Sequence, residues 1–413
     1  MRPGRKIVQA VATAAVALLF FCGVSSAADQ GNSGGPVPIK MPIHENEFLL
    51  GKETKGVTLK AAENTDLTLR VRLSPRIDAG DLIKSDEATP TSYETESDFY
   101  LRRVRLEFSG HLAKNLTFNV ILRADTNGQA PGKTKNTPSF LYAYGEYKFA
   151  DTLSVRFGKS KLPYSRVSLT SAAAQLFIER PFSTEAAKAL FDDYYQPALL
   201  LQGKVAGGTV AYAAAVADGF EPGGTISGNT VQKGGLLYVA RLAVSPPGWV
   251  EKGQSDAHLG RGRHLTLAAN YAAQSGIEYR GNTFEEDRSL WGADLSGHWG
   301  GLTAQAEYNT WKEDYSNPAL IDKKPKGWYA QIGYFFPGVN VEPAVRYEVY
   351  DQNANATDKK QKTITAGLNW YLRGHNVKVS ANVLQTKFDR SATGFLANDD
   401  KQNIVQLESQ LYF

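Results

Sequence analysis

The sequence has little cysteine, methionine or histidine: its 413 residues include one Cys, two Met and six His. With a single thiol, Cys22, no intrachain disulfide can form. The histidines His44, His111, His258, His264, His298 and His375 are scattered without metal-ligand spacing. No metal or other cofactor is expected. Glycine pairs such as Gly207-Gly208 lack the following Lys-Ser/Thr of a phosphate-binding loop and are read as turns. Long apolar runs are also missing, apart from residues 7–24. A polytopic helical membrane protein needs several such runs of about 20 residues, so that class is excluded.

The one apolar run follows Arg2, Arg5 and Lys6 and leads into Ser25-Ser26-Ala27-Ala28. A basic start, an apolar centre and small residues at the end describe a secretory signal peptide. Cleavage is expected after Ala27 or Ala28. Losing three positive charges lowers the formal charge from +4 to +1. Cys22 leaves with it, so the exported chain has no thiol nucleophile and no thiolate ligand. Residues 29–64 are expected to be a flexible N-terminal segment, Gly/Pro/Ser-rich at its start.

What the chain does contain is alternation, with 20 Tyr, 19 Phe and 38 Gly to support strands and tight turns. Leu67, Leu69, Val71 and Leu73 alternate with Thr68, Arg70, Arg72 and Ser74. Ile364, Ala366, Leu368, Trp370 and Leu372 form one face of another segment. Sixteen such segments occur, near 66–75, 99–110, 115–126, 139–149, 152–160, 197–207, 208–218, 235–245, 263–274, 289–300, 301–312, 327–337, 339–350, 362–372, 375–387 and 402–413. Their connections alternate short and long, and only residues 245–262 break the rule. Strands of about ten residues, alternating loop lengths and aromatic residues at the ends of apolar faces predict a transmembrane antiparallel β-barrel. Only a closed sheet leaves no unpaired edge in lipid. Sixteen strands enclose more space than side chains fill, which predicts an aqueous channel. The last segment alternates to a terminal Phe413. It resembles the C-terminal signal of bacterial outer-membrane proteins, which implies recognition by the barrel-assembly machinery.

Two stretches resemble the phosphate-selective porin O and P family. One is Asp98-Phe-Tyr-Leu-Arg-Arg-Val-Arg-Leu-Glu-Phe-Ser-Gly110. The other is Val155-Arg-Phe-Gly-Lys-Ser-Lys-Leu-Pro-Tyr-Ser-Arg166, followed by Leu169-Thr-Ser-Ala172 and Phe177-Ile-Glu-Arg-Pro-Phe182. The resemblance implies a homotrimeric sixteen-stranded outer-membrane porin that passes anions along arginine and lysine. It also implies that the second stretch ends the fifth strand and enters a loop folded into the pore. The apolar middle of that loop, residues 172–178, agrees with inward packing.

Placing the polar face of each strand in the lumen gives a candidate anion path of Arg70, Arg72, Arg103, Arg105, Arg123 and Arg156. Lys148 joins them, and Glu107, Asp125 and Glu146 oppose them. The later strands bring Lys204, Arg241, Arg346 and Lys378 against Asp294, Glu307, Glu342, Glu348 and Glu408. The candidate constriction residues are Lys161, Arg166, Arg180 and Lys188, facing Glu179, Glu185, Asp192 and Asp193. A guanidinium keeps its charge and offers paired donors to an oxyanion. A row of them exchanges the hydration shell stepwise. The reading is a channel for phosphate or related oxyanions, not an enzyme and not a nucleic-acid binder. Two other readings stay open: a general porin whose arginine wall faces acidic loop residues, and a plugged barrel serving as anchor or partner sleeve. Ser296 and His298, two apart on one face, are too common a pattern to carry an enzyme reading.

Overall fold

The computed structural model describes residues 56–413 except 85–89, 127, 129–136, 192, 227–228 and 282–283. The expected signal peptide lies outside these residues, as do Asp192 and the chain before residue 56.

Sixteen strands close into one antiparallel barrel, as the periodicity predicts. They are β1 (Thr65–Lys84), β2 (Tyr93–Ala113), β3 (Leu116–Arg123), β4 (Ser139–Ala150), β5 (Leu153–Lys161), β6 (Tyr195–Val205), β7 (Val210–Ala217) and β8 (Leu237–Val244). They continue as β9 (Arg263–Tyr279), β10 (Glu285–Trp299), β11 (Leu302–Tyr315), β12 (Lys326–Tyr334), β13 (Val341–Asp351), β14 (Lys360–Arg373), β15 (Val377–Phe388) and β16 (Lys401–Tyr412). Each pairs with its sequence neighbours, and β16 pairs with β1 through Leu411↔Leu73 and Val405↔Ala79. At the seam, Val71 and Phe413 exchange backbone hydrogen bonds of 2.7 and 3.0 Å. Val57–Ala62, within the stretch expected to be flexible, is a strand paired with the start of β1.

The burial pattern is inside out. On β9, His264, Thr266, Asn270 and Gln274 are buried, whereas Leu265, Leu267 and Tyr271 are exposed. On β13, Arg346 and Glu348 are buried between exposed Val345 and Tyr347. A soluble sheet hides its apolar face. This one presents it outward, which is stable only against hydrocarbon. Exposed aromatics gather near strand ends, with Tyr147 against Phe149 at 4.7 Å and Tyr334 against Phe336 at 4.8 Å between ring centres. Such rings suit the bilayer surface.

Gly158 shows how tightly β4 and β5 approach. Its φ is +119°, and a Cβ there would sit 2.3 Å from the Ala143 carbonyl oxygen. Only glycine fits that position.

Candidate anion path

Two connections make contacts to the inner faces of the strands. Residues 162–194 leave β5 at one end of the barrel; residues 245–262 link β8 to β9 at the other. Part of the first packs on apolar wall residues: Leu162, Tyr164, Leu190 and Phe191 meet Leu141, Leu200, Leu290 and Trp311 in one cluster. Burying each such side chain contributes about 1.5–3 kcal/mol. A second cluster joins Leu176 and Phe177 to Ala257 and Leu259, and to Phe335 and Tyr371 of the wall.

Backbone carbonyls of the same connection face donors from five different strands. The Ala173 oxygen accepts from Gln410 (3.3 Å) and Gln175 from Lys378 (3.2 Å). Leu176 accepts from Asn369 (2.8 Å), Ile178 from Arg103 (3.5 Å) and Glu179 from Arg346 (2.9 Å). A segment without sheet partners thereby satisfies its buried carbonyls with side chains. The two connections also meet each other. The Ala174 oxygen accepts the N–H groups of Asp256 and Ala257, both at 3.0 Å, and Arg166 forms a two-point ion pair with Glu251.

Three of the six expected path arginines, Arg103, Arg105 and Arg156, are paired with carboxylates. Arg103 donates to both Glu408 oxygens at 3.0 and 3.1 Å. Arg105 grips Asp125, with Nη2 2.5 Å from Oδ2. Arg156 holds Glu146 at 2.6 Å and lies over the Tyr144 ring at 4.2 Å. Arg70 donates to the Tyr412 hydroxyl at 3.1 Å, and Arg123 to the Ser139 hydroxyl at 3.2 Å. Lys148 sits exposed at a turn, paired with Asp151. Among the constriction candidates, Arg166 is paired with Glu251, and Lys188 lies 3.6 Å from Glu185 and 3.8 Å from Asp193.

Three buried cations, Arg72, Lys161 and Lys378, and half-buried Arg180 differ. Among the described residues, Arg72, Lys161, Arg180 and Lys378 have no carboxylate within ion-pair distance. Arg72 is 2% exposed and lies over Tyr412 at 5.1 Å, and its Nε and Nη2 meet no described hydrogen-bond partner. Lys161 donates only to the carbonyls of Leu169 and Thr170, each at 3.0 Å. Arg180 donates to those of Val167 and Thr170, each at 3.0 Å. Carbonyls orient these groups without cancelling their charge. Lys161 lies within electrostatic reach of Arg180, Arg105 and Arg72 and of Asp256, and Lys378 within reach of Glu408 and Glu342 as well as Arg72 and Arg103.

The structure adds two arginines that alternation does not assign to the lumen. Arg76 lies one residue beyond the expected end of the first segment, next to Pro75. Arg102 has the wrong parity beside lumen-facing Arg103. A bulge where Ser74↔Arg103 gives way to Pro75↔Leu101 leaves Arg102 without a cross-strand partner. A bulge re-aims side chains, and Arg76 and Arg102 both reach Glu179 at 2.7 Å. Burial by itself would raise the Glu179 carboxyl, but Arg102, Arg76 and Arg103 outweigh it and hold the group well below the usual carboxylate range. Ser296 and His298 do not face each other alone, because His264 contacts both.

Residues 69–413 match the family described as phosphate-selective porin O and P. The chain belongs to this family. It is 36% identical over 406 residues to an uncharacterised protein of Aquifex aeolicus, covering 90% of this chain and 93% of that protein. It is also 32% identical over 154 residues to porin O of Pseudomonas aeruginosa, covering 29% of this chain and 34% of that one. Among solved structures, the anion-selective porin from Comamonas acidovorans shares the fold, with a TM-score of 0.58 and 16% identity over 84% of this chain and 100% of that one. This family member is an outer-membrane porin, and its family and fold are those of a channel.

Proposed function

We propose that this porin favours small anions, with phosphate-like oxyanions as its preferred class. The observation that supports this reading is the group of buried Arg72, Lys161 and Lys378 and half-buried Arg180, oriented by carbonyls and an aromatic ring and, among the described residues, without a carboxylate at ion-pair distance. Fixed charge on low-dielectric walls raises the local concentration of counter-ions. Donors already oriented by the protein replace water on an entering anion without a reorganisation cost. Residues 162–194 act as the constriction. The exposed apolar exterior suits the lipid and a homotrimer. The leader directs export, and the β16 strand ending in Phe413 engages the assembly machinery.

The extensive pairing of Arg103, Arg105 and Arg156 favours a second reading, a general porin in which paired charges only stiffen the wall. Planar-bilayer recording in a KCl gradient separates the two. The expected result is an anion-selective reversal potential and block of chloride current by added phosphate. An unselective open pore would leave the general porin, and absence of conductance would leave the plugged barrel.

A further inference from the structure

The Glu179 carboxylate lies among three guanidinium groups. Its Oε1 accepts from Arg76 Nη1 and Arg102 Nε at 2.7 Å each, and Arg103 Nη2 lies 3.7 Å from Oε2. Its side chain is 30% exposed, whereas those of Arg76 and Arg103 are 2% and 3% exposed. Glu179 is thus the most water-exposed member of the cluster, ahead of Arg102 at 20%. The backbone cannot carry it away easily, because Arg346 holds its own carbonyl and Arg103 holds that of Ile178. Only rotation of the side chain frees the donors.

The charge balance matters as well. Arg76 also lies 3.4 Å from Asp78 and 3.6 Å from Glu408, and Arg103 pairs with Glu408. Three guanidinium groups thus face three carboxylates, and Glu179 is the one supplied by the loop. With it turned aside, the site carries one uncompensated positive charge and freed donors on Arg102 and Arg76. Chloride brings one charge and cannot engage a planar fork at two points. A tetrahedral oxyanion presents several acceptor oxygens to the same donors.

We propose that Glu179 is a tethered competitor: its carboxylate occupies the Arg76–Arg102–Arg103 cluster as a built-in anion, and a phosphate-class oxyanion binds there by displacing it. This rests on the anion-channel reading above. Glu179 then sets selectivity by admitting to the cluster only ions with enough charge and oxygens to replace it.

The test is phosphate titration of chloride current through the refolded full-length barrel and its Glu179→Gln variant, with refolding checked by heat-modifiable migration on gels. The amide keeps the shape and loses the charge. Half-block by phosphate is expected at about a tenfold lower concentration in the variant. An unchanged or higher half-block concentration in folded Glu179→Gln overturns the inference. Should that variant fail to refold, Glu179→Asp decides. It keeps the charge but is one methylene too short to hold both arginines, so half-block is expected to fall, and a wild-type value overturns the inference. A wild-type pore without anion preference or phosphate block would instead defeat the underlying function. Wild-type block that Glu179→Gln leaves unmoved would defeat only the role of Glu179.

Discussion

Arg166 Nη1 lies 2.8 Å from Glu251 Oε2, and Arg166 Nη2 lies 2.9 Å from Glu251 Oε1. This pair ties the connection that enters from one end of the barrel to the connection that enters from the other. Both side chains are largely buried, at 4% and 12% exposure. Burial by itself would raise the Glu251 carboxyl, but Arg166, helped by His264 and the Ser255 N–H, holds it below the ordinary range. Breaking a buried pair by removing one partner costs about 3–5 kcal/mol. Glu251→Gln is therefore expected to speed amide exchange at residues 254–257 by about 100-fold or more, while barrel strands stay protected. Hydrogen exchange measured by mass spectrometry reads this, and unchanged exchange there would mean that the apolar cluster alone holds the segment.

Asp256 gives the same segment a pH dependence. Burial pushes its carboxyl up to about 6, and Arg166 and the Thr170 hydroxyl recover only part of that. The native form therefore holds a proton more tightly than the unfolded segment does. Its attachment strengthens as pH falls from about 6 towards 4, and weakens as pH rises through about 6. Proteolysis of the segment in wild type and Asp256→Asn, compared from pH 4 to 7.5, checks the sign. His258, which burial pushes down, contributes to both proteins and cancels in their ratio. A ratio that does not change with pH would remove Asp256 from the account.

Neutralising an uncompensated cation and neutralising a paired one should differ in kind. Arg72→Met and Lys378→Met are expected to lower the anion-to-cation permeability ratio, with little loss of folded barrel. Arg103→Met takes from buried Glu408 the Nη1 donor that meets both its oxygens, at a cost of about 3–5 kcal/mol, so reduced folding yield accompanies lower selectivity. Reversal potentials paired with refolding yields distinguish these outcomes.

Gly158→Ala places a methyl group 2.3 Å from the Ala143 oxygen at φ +119°. The backbone must shift, at a cost of at least about 1 kcal/mol. A lower urea midpoint with an unchanged slope is the expected signature.

Deleting Phe413 removes the backbone pair with Val71 that completes the seam between β16 and β1. Slower assembly into a heat-modifiable barrel is expected. Assembly at the wild-type rate would show that pairing up to Tyr412 suffices.

The strand count, the turns and the outward apolar face were legible in the sequence because each depends on period-two alternation and local turn chemistry. Arg103, Arg105 and Glu408 could be placed in the lumen for the same reason. The length of residues 245–262 marked it as unusual, although nothing in its residues named its partner. Apolar side chains at inward positions, such as Leu141, Leu200, Leu290 and Trp311, were the available signal that something packs inside.

What the sequence determined by itself is the barrel, since a repeating pattern of residue types specifies which face meets lipid and which does not. Only the tertiary structure decided which charges remain uncompensated. Arg103 and Arg72 look alike along the chain, yet one meets Glu408 across the seam and the other lies over the Tyr412 ring with no carboxylate of the described residues at ion-pair distance. Pairing depends on contacts between residues hundreds of positions apart, and a single bulge at Ser74/Pro75 moves Arg102 to Glu179 against the rule of alternation.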